Sequence, residues 1–287
     1  MVLGLSDNYL IAGCNINRET NKPECYESME QHMKSMKIVL DTLFSNYMEF
    51  VDEEAKKLCI KPKCHVVYAV AALHDLGKIL PMYQKQLREK CTAPYHEVFS
   101  AILMFSVKGV WLRESEIIVY MLPVIMHHHA MRSLKDLIGE YYTKVVNPIK
   151  KINKVPTEYI SEFSDIVEKV FGLKIEIPEL NGRIIEENCE KLLKILKNAM
   201  KLQEGQYFKH ELYLFMLKVY RLTGLILYPL TIADYVAAAV NRACKNLTMD
   251  EILRISYKNS MVRDALKYSI QQLTFRRIYS KLLTRNF

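Results

Sequence analysis

The run AALHDLGKIL, from Ala71 to Leu80, sets His74 beside Asp75 at the end of an apolar stretch and follows them with Gly77 and Lys78. An imidazole nitrogen and a carboxylate oxygen together suit a borderline or hard divalent ion, and a carboxylate has a second oxygen with which to bridge another ion about 3.5–4 Å away. Consecutive side chains on a helix diverge by about 100°, so a metal centre is what would collect both. A buried aspartate needs a positive partner to stay ionised. Gly77 reads as a left-handed helix stop that turns Lys78 back toward the same cavity, where its ammonium can hold a phosphate oxygen or a water.

Further donors occur at credible places. His96 falls in the first turn of a helix opened by Pro94, and His127, His128 and His129 end an apolar helix that begins near Arg113. His32 interrupts the helical pattern of YESMEQHMKSMKIVL, and Asp234 sits within LTIADYVAAAV. Polar groups of this kind inside apolar helices require partners. The plainer alternatives are a buried ion pair closing a helix, a surface histidine cluster, and a lysine that neutralises a helix C-terminus for about 0.3–1 kcal/mol. The apolar VYMLPVIM before the triple histidine argues for a buried helix end.

The ordered set of His32, then His74-Asp75 with the Gly77-Lys78 tail, then His96, a histidine pair and Asp234 resembles the HD superfamily of metal-dependent phosphohydrolases. More narrowly, it is similar to the separate HD nuclease subunits of type I CRISPR interference of the archaeal kind. The match covers about residues 26–245. The resemblance implies His32, His74, Asp75, His96, two of His127, His128 and His129, and Asp234 as ligands of one or two divalent ions (Mn, Mg, Co or Ni). Asp75 would bridge and Lys78 would assist at the phosphate. His127 with His128 is the favoured pair, and His128 with His129 is the other register. The implied activity is cleavage of single-stranded DNA or also RNA, with a separate CRISPR helicase and a guide-RNA surveillance complex as partners. The alternative is an HD phosphohydrolase of nucleotides or cyclic dinucleotides.

The elements that must carry these residues are helical. Glycine and proline number nine each, and apolar residues recur at three and four positions through most of the chain. The pattern predicts helices over 27–58, 63–76, 94–107, 113–129, 132–144, 157–171, 182–203, 206–228, 230–244 and 248–285, with breaks at Pro62, Pro81, Pro94, Pro148, Pro156, Pro178 to Gly182, and Pro229. The expected fold is an all-α HD-type helical bundle forming one domain over 1–287. A helical insertion spans about 145–205 and a basic helical extension spans 246–287.

Composition sets outer bounds. The net charge of +8 and pI near 8.9 favour anionic partners only weakly; the stretch from Ala265 to Phe287 holds Lys267, Arg276, Arg277, Lys281 and Arg285 without an acidic residue, a candidate docking element. No GxxxxGK[ST] run is present, so unwinding would fall to another chain. The first residues lack the zones of a signal peptide, and no stretch reaches about 18 uninterrupted apolar residues, which predicts a cytoplasmic, membrane-free protein. Seven cysteines without an export signal predict mostly reduced, buried thiols. Cys59, Cys64 and His65 make only half of a zinc-finger spacing.

Overall fold

The computed structural model describes residues 9–17, 19–60, 64–111, 116–129, 147–149, 151–203 and 210–243, with backbone alone at 128–129, 198–203 and 210–213. The predicted helices at 132–144 and 248–285, and with them the basic extension, lie outside the described residues. Among the described residues the fold is all-α apart from one hairpin. Strand β1 (Ile11–Ile16) pairs antiparallel with β2 (Pro23–Ser28), and the chain then runs through α1 (Met29–Leu43), α2 (Ser45–Lys56) and α3 (Val66–Leu73). A 3-10 turn at Leu76–Ile79 leads to α4 (Pro81–Lys90), α5 (His96–Met104) and α6 (Ile117–His129). A single turn at Asn147–Ile149 precedes α7 (Thr157–Phe171), α8 (Gly182–Gln203) and α9 (His210–Asn241).

The centre is α3. Every residue from Val66 to Leu73 except Tyr68 is buried, so this short helix is enclosed by its neighbours, with α1, α2, α6, α7 and α9 packed around it. Its flanks explain its position: Asp52 of α2 accepts the Val66 amide at 2.9 Å and the His65 ring at 2.5 Å, supplying from another helix the cap that His65 itself does not. The predicted segment 145–205 contributes Phe163, Val167 and Leu192 to the same core as α1 and α3.

Two helix expectations are corrected. The single helix predicted over 27–58 is two, because Phe44 leaves helical geometry at φ −127°, ψ 11° and its ring packs edge-on against Tyr47 and Tyr228. Its start is set by a reciprocal cap in which Ser28 and Gln31 satisfy each other's backbone amides. The break predicted at Pro229 does not occur. Proline there removes the donor that the Leu225 carbonyl would otherwise meet, and the Tyr47 hydroxyl replaces it by donating to that carbonyl at 3.1 Å. α9 therefore continues for 32 residues.

The hairpin was not anticipated. Neither was its covalent tie: Cys14 of β1 is disulfide-bonded to Cys91, the residue ending α4, with Cα atoms 5.3 Å apart, and Cys25 of β2 is disulfide-bonded as well. Reduced thiols describe Cys59, Cys64 and Cys189, but not the cysteines that folding of the hairpin onto α4 brings within bonding distance. No zinc group forms at Cys59, Cys64 and His65 among the described residues, since Asp52 takes the His65 ring and burial pushes the Cys64 thiol up to about 11.

The stretch Leu214–Asn241 is long and apolar enough to cross a membrane by length and composition, although Lys218, Arg221 and Asp234 interrupt it. In the fold, 67% of its most apolar window is buried against α1, α6 and α3. It is the helix that delivers Asp234 to the interior.

Candidate metal centre

His74 and Asp75 reach one point because the helix beneath them has already ended. α3 stops at Leu73; His74 keeps near-helical angles while Asp75 turns to φ −101°, ψ 7° and opens the 3-10 turn. This change of direction replaces the 100° divergence expected of a continuing helix, and His74 Nε2 comes to 3.5 Å from Asp75 Oδ1. The role expected of Gly77 is also different. It is not in the left-handed region; instead a Cβ at this position would lie 2.2 Å from the His96 carbonyl oxygen and 2.7 Å from the Ser100 nitrogen. Glycine is needed so that the turn can press against α5, where the Ser100 hydroxyl accepts the Gly77 amide at 2.7 Å and donates to the His96 carbonyl at 2.9 Å.

Six of the expected donors converge in this space. Asp75 Oδ1 lies 3.1 Å from His96 Nε2, and Asp75 Oδ2 lies 3.7 Å from His32 Nε2. Asp234 Oδ1 lies 3.1 Å from His32 Nε2 and 3.9 Å from His74 Nε2. Asp234 Oδ2 pairs with His127 Nε2 at 2.8 Å. Lys78 joins them, its Nζ donating to Asp75 Oδ2 at 2.7 Å. All of these groups are buried. The backbone of His128 and His129 continues α6, and their side chains lie outside the described residues, so of the triple histidine it is His127 whose ring is seen in the cluster.

The imidazoles are oriented by what holds their far nitrogens. His74 Nδ1 donates to the Ala71 carbonyl at 2.8 Å and His96 Nδ1 to the Ala93 carbonyl at 2.7 Å. His32 Nδ1 meets Glu27 Oε1 at 2.7 Å. Carbonyls and carboxylates only accept, so each of these Nδ1 atoms carries its proton, which leaves Nε2 as the atom that would serve as a ligand on the inner side. Tyr95, in the left-handed region at φ 64°, precedes α5 and places His96 at its first residue.

The electrostatics are dominated by the two aspartates. Burial works to raise Asp75, yet the neighbouring His74 ring, the Lys78 ammonium and His96 hold its carboxyl well below the usual range. Asp234 is likewise held low against its burial by the His127, His32 and His74 rings that face it. Burial would drive His32 toward the neutral form, but Glu27 and Asp234 outweigh it and push the pKa up to about 9.

A divalent ion fits these donors on two counts. The Nε2 atoms of His32 and His74 and Oδ1 of Asp75 are buried without a well-directed hydrogen bond, a costly state for polar atoms that a shared cation relieves. One donor atom each from His32, His74 and Asp234 lies within 4.8 Å of the others, and the mixed nitrogen and oxygen set suits Ni, Co, Mn or Mg in decreasing degree of nitrogen preference.

Several contributors were invisible in the sequence. Glu27, at the end of β2, is fully buried, and its carboxylate also accepts from Asn241 Nδ2 at 2.8 Å and Arg242 Nε at 2.6 Å. Thr231 brings its hydroxyl to 3.2 Å from His127 Nδ1. Only the serine-glutamine capping pair at 28 and 31 hinted at the α1 start that sets Glu27 just outside the helix. Comparisons with protein-family models and with curated proteins return no match.

Proposed function

We propose that this chain is a metal-dependent phosphodiesterase of the HD type that cleaves single-stranded DNA, with RNA as a further substrate. In type I CRISPR interference it would work beside a separate helicase and a guide-RNA surveillance complex. The observation that carries the metal-dependent hydrolase reading is the inward convergence of His32, His74, His96 and His127 on Asp75 and Asp234, with the outer nitrogens of His32, His74 and His96 tied to acceptors. The narrower nuclease reading is supported by the order of these motifs along the chain.

His32, His74, Asp75 and Asp234 would hold one ion, and Asp75 with His96 and His127 extends the donor set for a second. When bound, such ions lower the pKa of water and stabilise charge on a scissile phosphate. The remaining work belongs to the protein. Asp75 anchors the Lys78 ammonium beside the cluster, where Lys78 would engage a phosphate oxygen. His127 fixes the Asp234 carboxylate, and the surrounding helices exclude bulk water, which strengthens each of these charge interactions.

Side-chain exposures of only 0–11% across the cluster favour a second reading, a phosphohydrolase of small nucleotides or cyclic dinucleotides. Manganese-loaded protein, assayed in parallel on labelled single-stranded DNA and on these nucleotides, separates the two. Strand cleavage that disappears on chelation supports the nuclease; nucleotide turnover with intact strands would overturn it.

A further inference from the structure

We propose that Glu27 is a positioning residue of the metal centre, its carboxylate clamped by Arg242 and Asn241 so that it fixes the His32 ring and strengthens Nε2 as a donor toward a divalent ion. This rests on the metal-centre reading above. Glu27 touches none of the atoms that face the centre; it acts through His32.

Both oxygens of Glu27 are committed. Oε1 receives His32 Nδ1 at 2.7 Å and Asn241 Nδ2 at 2.8 Å, and Oε2 receives Arg242 Nε at 2.6 Å. The carboxylate is entirely buried, and a carboxylate so placed is costly unless charge and hydrogen bonds compensate it. Packing alone has no need for it. The expense makes sense where an imidazole must be held in one orientation and made a stronger donor, which is what a carboxylate behind a ligating histidine does. His74, by contrast, has a neutral carbonyl behind it.

The clamp is built by the same helix that supplies the facing carboxylate. α9 carries Asp234, 3.1 Å from His32 Nε2, and two turns later Asn241, whose amide oxygen also accepts the Ser35 hydroxyl of α1 at 3.1 Å. Arg242 follows and lies across the hairpin at Gly13, where a Cβ would stand 2.3 Å from the guanidinium. The hairpin, α1 and α9 thus meet at one ring, with Asp234 on its inner nitrogen and Glu27 on its outer one.

The test is manganese affinity by calorimetry on the full chain, for wild type, Glu27→Gln, His32→Ala and the double variant. Glu27→Gln should weaken binding about 10–100-fold. In the His32→Ala background the same change should alter affinity by less than about twofold, because the partner through which Glu27 acts is gone. If folded Glu27→Gln binds as tightly as wild type, or loses as much in the His32→Ala background as alone, the positioning role is overturned. Should Glu27→Gln fail to fold by circular dichroism, the paired Glu27→Gln, Arg242→Gln variant leaves no unmatched buried charge and must show the same loss. A wild-type chain that binds no manganese would remove the metal centre itself, and this role with it; a wild type that binds, with an indifferent Glu27→Gln, removes this role alone.

Discussion

His127 Nε2 and Asp234 Oδ2 lie 2.8 Å apart across 107 residues of sequence. That contact joins α6 to α9, and α9 in turn brings Asp234 to His32 at 3.1 Å. The cluster is therefore a product of helix packing, and its consequences are measurable.

Cation binding should stabilise the fold. At a manganese concentration about 100 times the dissociation constant, linkage contributes about 2.7 kcal/mol, which for a chain of this size raises Tm by roughly 5–10 °C. Thermal unfolding followed by circular dichroism, with manganese and then with excess chelator, checks this; an unchanged Tm with every divalent ion tried would refute the centre.

Asp75→Ala removes the carboxylate to which His96, His32 and Lys78 are directed. Cleavage should fall to background and manganese binding should weaken by at least about 100-fold, while far-ultraviolet circular dichroism stays helical. The metal-free variant should also lose about 3 kcal/mol in urea titration, since buried Lys78 is left without its counter-charge. Cleavage at the wild-type rate would contradict the assigned role.

Gly77→Ala tests the close approach of the 3-10 turn to α5. A methyl group 2.2 Å from the His96 carbonyl oxygen must push the two segments apart, at a cost of about 1–3 kcal/mol. It also separates Asp75 from His96, so metal affinity should drop together with stability. A variant as stable as wild type would show that the turn has room to spare.

The Cys14–Cys91 bond closes a loop of 77 residues that contains His32, His74, Asp75 and Lys78. Loop-closure entropy for that length is about 4–5 kcal/mol. Cys91→Ser, or reduction, is expected to lower Tm by roughly 10 °C or more with helix content retained at 25 °C. Identical melting of oxidised and reduced protein would exclude the tie.

The Glu27–His32 pair predicts the pH range in which the metal-free chain is most stable. His32 has its folded pKa raised to about 9, so its contribution is complete below its unfolded value near 6.5 and is lost as pH rises toward 9. Glu27 is lowered to about 2, because His32 and Arg242 outweigh its burial; its contribution is present above its ordinary value near 4.5 and disappears as pH falls through 2. Urea stability in chelator should therefore peak between about pH 4.5 and 6.5. Manganese requires a neutral His32 ring, so apparent affinity should climb with pH up to about 9, with proton release seen in calorimetry across buffers of different ionisation heat. A flat profile would contradict the pairing.

What the amino-acid order determined by itself is the part written in local spacing. Apolar residues at helical intervals are short-range signals, so α7 and α8 were legible to the residue at 157–171 and 182–203, and polar residues stranded in apolar runs marked His74, Asp75, His127 and Asp234 as needing partners. Which partners they meet is a long-range matter that packing alone decides. Tyr47 lets α9 pass through Pro229 by donating to a carbonyl 178 residues away; Glu27 and Arg242 become neighbours across 215 residues; Cys14 finds Cys91 across 77. Side-chain type tells what a group requires, whereas the group that satisfies it is set by how the helices stack, and that is why the candidate ligands could be read from the chain but the carboxylate behind His32 could be seen only in the folded molecule.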